Sequence, residues 1–306
     1  MKKLSNGVRD WFRRVRRACR SGSRQLLRAP LVAAEEYRIR YELTACLKFK
    51  DAARFLPEWV EFHLLVGFEH FYLYNNNSTD DYRGALAPYL KAGIVTLTEW
   101  PDSPACPKAD EDCVARRRHE ARWIAFLDDD EYLFPSSAGD VRKVLKNYIQ
   151  YPAVVVHWVM FGSSGHVQRP PGLVTENYLM RQARINPTIK SIVNPRRVAS
   201  CMGSHYWLYQ GKEMAVDENK HPVKSSSSMP ATADVLRINH YWSKSLEDGK
   251  VKMTKGAVDQ WTIDNPRSMD LWNAHDKPLN AVEDREILRF VTELKKRLEA
   301  RKAGSI

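Results

Sequence analysis

An open α/β sheet is predicted for this chain from residue 41 onward. Two observations predict it: short apolar runs alternate with amphipathic stretches, and turn-rich or acidic segments stand just where several of those runs stop. A third observation sets a basic arm apart. The 306 residues are 43% hydrophobic and carry a net charge of +11, with 14 Gly and 16 Pro, which suffices to bury a core. Residues 1–30 hold ten Lys/Arg against one acid, so nine of the eleven excess charges lie there. The charge thus belongs to an arm rather than to the fold, which argues against a nucleic-acid-binding domain. No apolar run reaches the ~18 to 20 residues of a membrane-spanning helix. Five Cys without a CxxC pair speak against a disulfide framework or thiolate zinc site and fit a reducing, cytoplasmic compartment.

In the arm, Val8, Trp11, Phe12, Val15 and Ala18 recur at three- and four-residue steps between arginines. That spacing predicts a basic amphipathic helix lying on an anionic membrane surface; a solvated extension is the plainer reading. Leu43 to Phe49 then reads as a buried strand, and Phe55 to Val66 as a helix with Pro57 near its start. Phe68 to Tyr74 is a second strand running into the turn-forming Asn75 to Asp80. Asp81 to Ala92 is helical, Ile94 to Glu99 a strand and Asp112 to Ala121 a helix. Trp123 to Leu127 is a buried strand that ends in four acids, after which Tyr132 to Pro135 turns away. Ala153 to Met160 and Val235 to Asn239 are further strands, and Glu283 to Leu298 is a closing helix with Ile287, Phe290, Val291, Leu294 and Leu298 on one face. Lys224 to Met229 reads as a flexible loop.

The acids Asp128-Asp129-Asp130-Glu131 carry the sharpest chemical signal. Ligands of an open α/β sheet collect at the carboxyl ends of its strands. Consecutive carboxylates repel one another unless compensated, and a hard divalent ion with oxygen ligands is a natural compensator. Alternation places Asp128 and Asp130 on one ion while Asp129 points elsewhere; a solvated acidic turn is the alternative. Asn75, Asn77 and Ser78 suit hydrogen bonds to a base or ribose, yet a turn and helix cap explain them equally well.

Several segments together resemble glycosyltransferase family 92 and related bacterial enzymes. They are Leu47-Lys-Phe-Lys-Asp51, Phe55-Leu-Pro-Glu-Trp59, Gly67-Phe-Glu-His-Phe71, Asn75-Asn-Asn-Ser78, Trp123 to Glu131, Phe161-Gly-Ser-Ser-Gly-His166, Lys190-Ser-Ile-Val-Asn-Pro195 and Asn239-His-Tyr-Trp-Ser-Lys-Ser245. The resemblance implies a GT-A fold, an open mixed sheet flanked by helices with a Rossmann-like nucleotide-sugar half and an acceptor half. It implies a hexosyltransferase that moves galactose or another hexose, with inversion, from a UDP-linked donor. Carried over, Asp128 and Asp130 hold Mn²⁺ or Mg²⁺ on the pyrophosphate, and Lys48, Asp51, Asn75, Asn77, Ser78 and Asp129 serve the donor. One departure is Lys50-Asp51, where the family more often has Asn-Glu or Asp-Glu.

A departing diphosphate gathers negative charge, which an ion and nearby lysines stabilise. Lys244, Lys250, Lys252 and Lys255 are candidates for that role, and a solvated helix face is the other reading. His240 either completes the metal shell or is a core histidine, with His205 second in line. For the general base, Glu176 ranks first and Asp217 second, although Asp217 to Lys220 also reads as a hairpin turn. Gly162 to Gly165 would form a flexible rim for a glycan or lipid-linked acceptor. The organisation expected is an arm over 1–40, a catalytic domain over 41–275 and a C-terminal helix over 276–306, with the protein cytoplasmic or peripheral on the inner membrane face. A metal-dependent phosphohydrolase and a membrane-tethered binding module without catalysis are the alternatives.

Overall fold

The computed structural model describes residues 39–306 apart from 138, 204 and 255–266. All of the basic arm but its last two residues, and Lys255 with it, lie outside the described residues. The first half alternates as expected: β1 (Tyr41–Phe49), α1 (Leu56–Leu65), β2 (His70–Asn75), α2 (Tyr82–Lys91), β3 (Val95–Glu99), α3 (Lys108–Arg117) and β4 (Ala121–Leu127). Its four strands are parallel, in the spatial order β4-β1-β2-β3. The chain then reverses through Asp128 to Asp130 into β5 (Glu131–Pro135), followed by α4 (Val141–Leu145), β6 (Ala153–Met160), α5 (Val174–Asn177), β7 (Met180–Arg181) and β8 (Asn186–Val193). Next come β9 (Val198–Cys201), β10 (Trp207–Tyr209), β11 (Ala215–Val216), β12 (Pro222–Val223) and β13 (Leu236–His240). The chain closes with α6 (Leu246–Thr254), α7 (Met269–Asp276), β14 (Val282–Glu283) and α8 (Val291–Lys302).

Among the described residues these strands build a ten-stranded mixed sheet, ordered β12-β11-β6-β8-β4-β1-β2-β3, with β13 beside the end of β6 and β5 beyond it. Because β8 is antiparallel to both β4 and β6, and β13 is parallel to β6, strands β1, β2, β4, β6 and β13 all end on one edge. Side chains of β1 alternate between two cores, as a strand covered on both faces requires. Leu43, Ala45 and Leu47 meet Trp59 and Phe62 of α1 on one face. Cys46 meets Ala109 and Cys113 of α3 on the other. Helix α8 docks on α1 through the buried Glu61, which accepts from Arg297 Nε at 2.9 Å and Arg301 Nε at 2.8 Å.

Four local expectations are corrected. Tyr132 to Pro135 does not turn away: together with Glu131 it pairs with β13 in antiparallel register, where its apolar residues find a fully buried place. The helix expected over 112–121 starts at Lys108, with Ala109 and Cys113 one turn apart on the buried face, and ends at Arg117. The closing helix begins at Val291 after a 3-10 turn at Glu286–Phe290. Lys224 to Met229 is tied down: Thr188 bridges Ser227, Ile189 N donates to Ser226 O at 3.2 Å, and Ser228 Oγ lies 2.8 Å from His157 Nε2.

Candidate functional site

The reversal at Asp128 to Asp130 is fixed from three sides. Trp59 Nε1 of α1 donates to the carbonyls of Asp128 (3.1 Å) and Glu131 (2.8 Å). Tyr241 N donates to Asp130 O at 2.8 Å. Glu131 Oε2 accepts from Asp128 N at 2.9 Å. The aspartate side chains meet cations from distant parts of the chain. Asp130 lies 3.2 Å from His240 Nε2, 2.8 Å from Lys252 Nζ and 3.8 Å from Lys244 Nζ, and its side chain is 7% exposed. Asp128, 39% exposed, lies 2.7 Å from Lys190 Nζ of β8.

Electrostatics follow that geometry. Burial alone would raise Asp130, yet Lys252, His240 and Lys244 hold its carboxyl well below the usual range. For Asp128 burial is likewise overcome, by Lys190 and Lys48, and the carboxyl falls to about 2. Glu131 goes the other way: burial, opposed by Lys190 3.5 Å away and reinforced by Asp128 and Asp130, pushes it up to about 8. Burial lowers His240 against the pull of Asp130. Asp129 sits partly exposed at the middle of the turn, and with burial, Glu58 and Tyr241 it helps keep the Tyr132 phenol protonated.

Among the described residues no three of His, Cys, Asp and Glu form a ready-made metal cage. The donor set nevertheless fits a hard ion with borderline nitrogen affinity: two carboxylates, one partly open to solvent, beside an imidazole. The buried Glu131 Oε1 and His240 Nδ1 have no hydrogen-bond partner and lie 4.0 Å apart, so the imidazole's far side faces a group able to orient it.

The other residues expected on the donor side hold loops together. Lys48 Nζ meets the buried Asp110 at 2.5 Å. Asp51, in the left-handed region at φ 49°, accepts at Oδ1 from Thr79 N (2.6 Å), and its own N–H donates to Ser78 Oγ (2.9 Å). Asn75 donates to Glu99 at 2.5 Å, and Asn77 donates to Pro101 O at 2.9 Å. The Asn75–Ser78 loop is thereby stitched to the ends of β1 and β3, at the same edge as the aspartates.

Lys244 and Lys252 reach Asp130 from a clamped segment after β13, in which Leu246 N donates to His166 O at 3.0 Å and Ser243 O accepts from Trp272 Nε1 at 3.2 Å. Ser163 N and Oγ donate to Asp276 at 2.7 Å each, and Ser164 N donates to Asn280 at 2.8 Å. The Gly162 to Gly165 rim is therefore held, and Gly162 is needed: a Cβ there would come within 2.6 Å of Asn280. At Gly249 of α6 the Trp272 indole approaches so closely that a Cβ would meet it at 2.4 Å. Lys250, by contrast, is exposed.

Neither general-base candidate touches the aspartates. Glu176 pairs with Lys295 at 2.5 Å. Asp217 caps its own hairpin, accepting from Asn219 N (2.9 Å) and His221 N (2.8 Å). His205 Nδ1 lies 2.8 Å from Ile189 O, and its ring and that of His240 both contact Trp158. Sequence reasoning left Lys190, Asp110 and Glu131 without roles. A lone lysine inside Thr188-Ile-Lys-Ser-Ile-Val193 was the available signal, since a buried ammonium needs a partner.

Comparison with known proteins finds relatives of this chain. Residues 41–269 match the family model of glycosyltransferase family 92. A family 92 protein of Arabidopsis thaliana is 27% identical over 227 residues, which cover 70% of this chain and 37% of that protein. One of Ricinus communis is 31% identical over 187 residues, 56% of this chain and 32% of that protein. The chain thus spans roughly a third of these relatives' length. Among solved structures, S. aureus TarS in complex with UDP overlaps with a TM-score of 0.35 at 10% identity, over 50% of this chain and 47% of that one. Glucosyl-3-phosphoglycerate synthase from Mycobacterium tuberculosis gives 0.28 at 12%, over 41% and 45%.

Proposed function

Because the chain belongs to glycosyltransferase family 92, we propose that it transfers a hexose from a UDP-linked donor to a hydroxyl of a glycan or lipid-linked acceptor, with inversion, using Mn²⁺ or Mg²⁺. The observation that carries this reading is the convergence of Asp128, Asp130, His240, Lys190, Lys244 and Lys252 at the carboxyl edge of a sheet whose first half is parallel. Asp128, Asp130 and His240 would hold the ion, which supplies Lewis-acid stabilisation of the leaving diphosphate. Lys190, locked between Asp128 and Glu131, keeps the first aspartate charged and in place. Lys252 and Lys244 approach Asp130 from one segment and turn their ammonium groups to the donor phosphates when the carboxylate is otherwise engaged. The Asn75–Ser78 loop and Asp51 form the donor's nucleoside side, and the clamped 162–165 rim borders the acceptor. In this reading the arm over residues 1–30 keeps the enzyme on an anionic membrane; among the described residues no helix is long and apolar enough to cross one.

A panel of nucleotide sugars assayed with Mn²⁺ tests the proposal. At least one UDP-hexose should be hydrolysed slowly without acceptor, and the activity should vanish with chelator and in Asp130→Asn. Phosphate monoesters turning over while every nucleotide sugar stays intact would assign the site to hydrolysis instead.

A further inference from the structure

Opposite the aspartates, where β1 and β4 begin, a cavity of about 400 Å³ opens between those strands and the α4 segment. Arg122 stands near the start of β4 and Asp128 just past its end, which separates the two regions by about 20 Å. The cavity floor is apolar, with Trp123 and Leu145 buried and Ile149 53% exposed at the mouth. Its rim is basic: Arg122, Arg142 and Lys146 line it, with Glu42 the acid among them.

These rim charges are unequally spent. Arg142 is committed to Asp140 (2.6 Å) and Glu69 (2.7 Å), and Arg122 gives its Nε to Glu42 (2.7 Å). Lys146 is exposed and, among the described residues, pairs with no acid within 4.0 Å.

We propose that this cavity is a binding site for an acidic phospholipid, its phosphate on Lys146 and Arg122 and the start of its acyl chain on Trp123, Leu145 and Ile149. The volume lies in the range of small-molecule sites. An apolar floor beneath a rim of three basic residues and one acid is the complement of an anionic amphiphile, whereas a free phosphate would use the rim and leave the floor wet. A large apolar side chain half-exposed at the mouth of such a cavity fits contact with lipid. The site needs neither the arm nor glycosyl transfer to function.

The test uses the full chain and phosphatidylcholine vesicles doped with phosphatidic acid carrying a photoactivatable group near the start of its acyl chain. Peptide mapping after photolysis should find label on the segments holding Trp123 and Leu145 to Ile149. Lys146→Gln should cut that label about fivefold, the worth of one basic residue at an anionic surface. Ile149→Asp should cut it comparably. Both side chains are exposed, so melting should not change, and either variant serves alone if the other fails to fold. Label found only elsewhere in the chain, or undiminished in a folded variant, overturns the proposal. Inorganic phosphate competing as well as a short-chain phosphatidic acid overturns it too, by reducing the cavity to an anion site.

Discussion

Replacing Asp130 by Asn tests how the site is built as well as what it does. The carboxylate is 7% exposed and faces Lys252 at 2.8 Å, His240 at 3.2 Å and Lys244 at 3.8 Å. Asn keeps the shape but removes the charge that these groups share. Breaking a fully buried ion pair costs about 3 to 5 kcal/mol. Lys252, 20% exposed, can swing toward water, so about 2 to 3 kcal/mol is expected here. For a chain of this size that lowers Tm by roughly 4 to 9 °C. A mutant that is inactive yet as stable as wild type would fit a carboxylate serving only an ion, and the three cations make that outcome unexpected. The check is a double-mutant cycle by urea unfolding without metal. Lys252→Met alone should also destabilise, and Asp130→Asn combined with Lys252→Met should recover at least about 1 kcal/mol of the summed loss. Donor hydrolysis should be lost in both Asp130 variants. Strict additivity, or an unchanged melting curve for Asp130→Asn, would refute the reasoning that lysines compensate this carboxylate.

Lys190→Met should cost about 3 kcal/mol, because it leaves Asp128 and Glu131 facing each other without their shared cation, and Lys190→Arg should recover part of that in the same melt. His240→Ala should weaken Mn²⁺ binding, read by electron paramagnetic resonance, by at least about tenfold; full specific activity in the folded fraction would make it a core residue. Glu58 accepts from Val174 N, Thr175 N and Thr175 Oγ1, and burial raises it to about 6 from 4.5. A raised carboxyl contributes stability below pH 4.5 that is lost as pH climbs through 6, so wild type should lose about 2 kcal/mol relative to Glu58→Gln across that window; a flat difference in denaturant melts would contradict it. Deleting the arm up to Pro30 should weaken salt-sensitive sedimentation with anionic liposomes at least about tenfold while leaving donor hydrolysis unchanged.

Most of the sheet was legible because its signals are local. The apolar run Trp123 to Leu127 stops at acids that cannot continue a buried strand, and the structure ends β4 at that point. Where the reading failed, a distant partner decided. Tyr132 to Pro135 looks like a turn after an acidic run until β13, a hundred residues later, supplies the ladder for it. The serines after Lys224 look mobile until β8 offers them carbonyls and amides.

The site divides along the same line. Acids clustered after a strand announce themselves, since their mutual repulsion is visible within four residues. Their counter-charges do not, because each comes from a different element: Lys48 from β1, Lys190 from β8, Lys252 from α6 and His240 from β13. A lysine on an exposed helix and a lysine aimed at a buried carboxylate read alike in a sequence; only topology separates Lys250 from Lys252, two residues on. The exception shows what can be inferred without a structure. Lys190 sits inside a strand-like apolar run, where an ammonium is too costly to bury alone. A single such residue, weighed against an unpaired acidic cluster elsewhere in the chain, already argues that the two are neighbours.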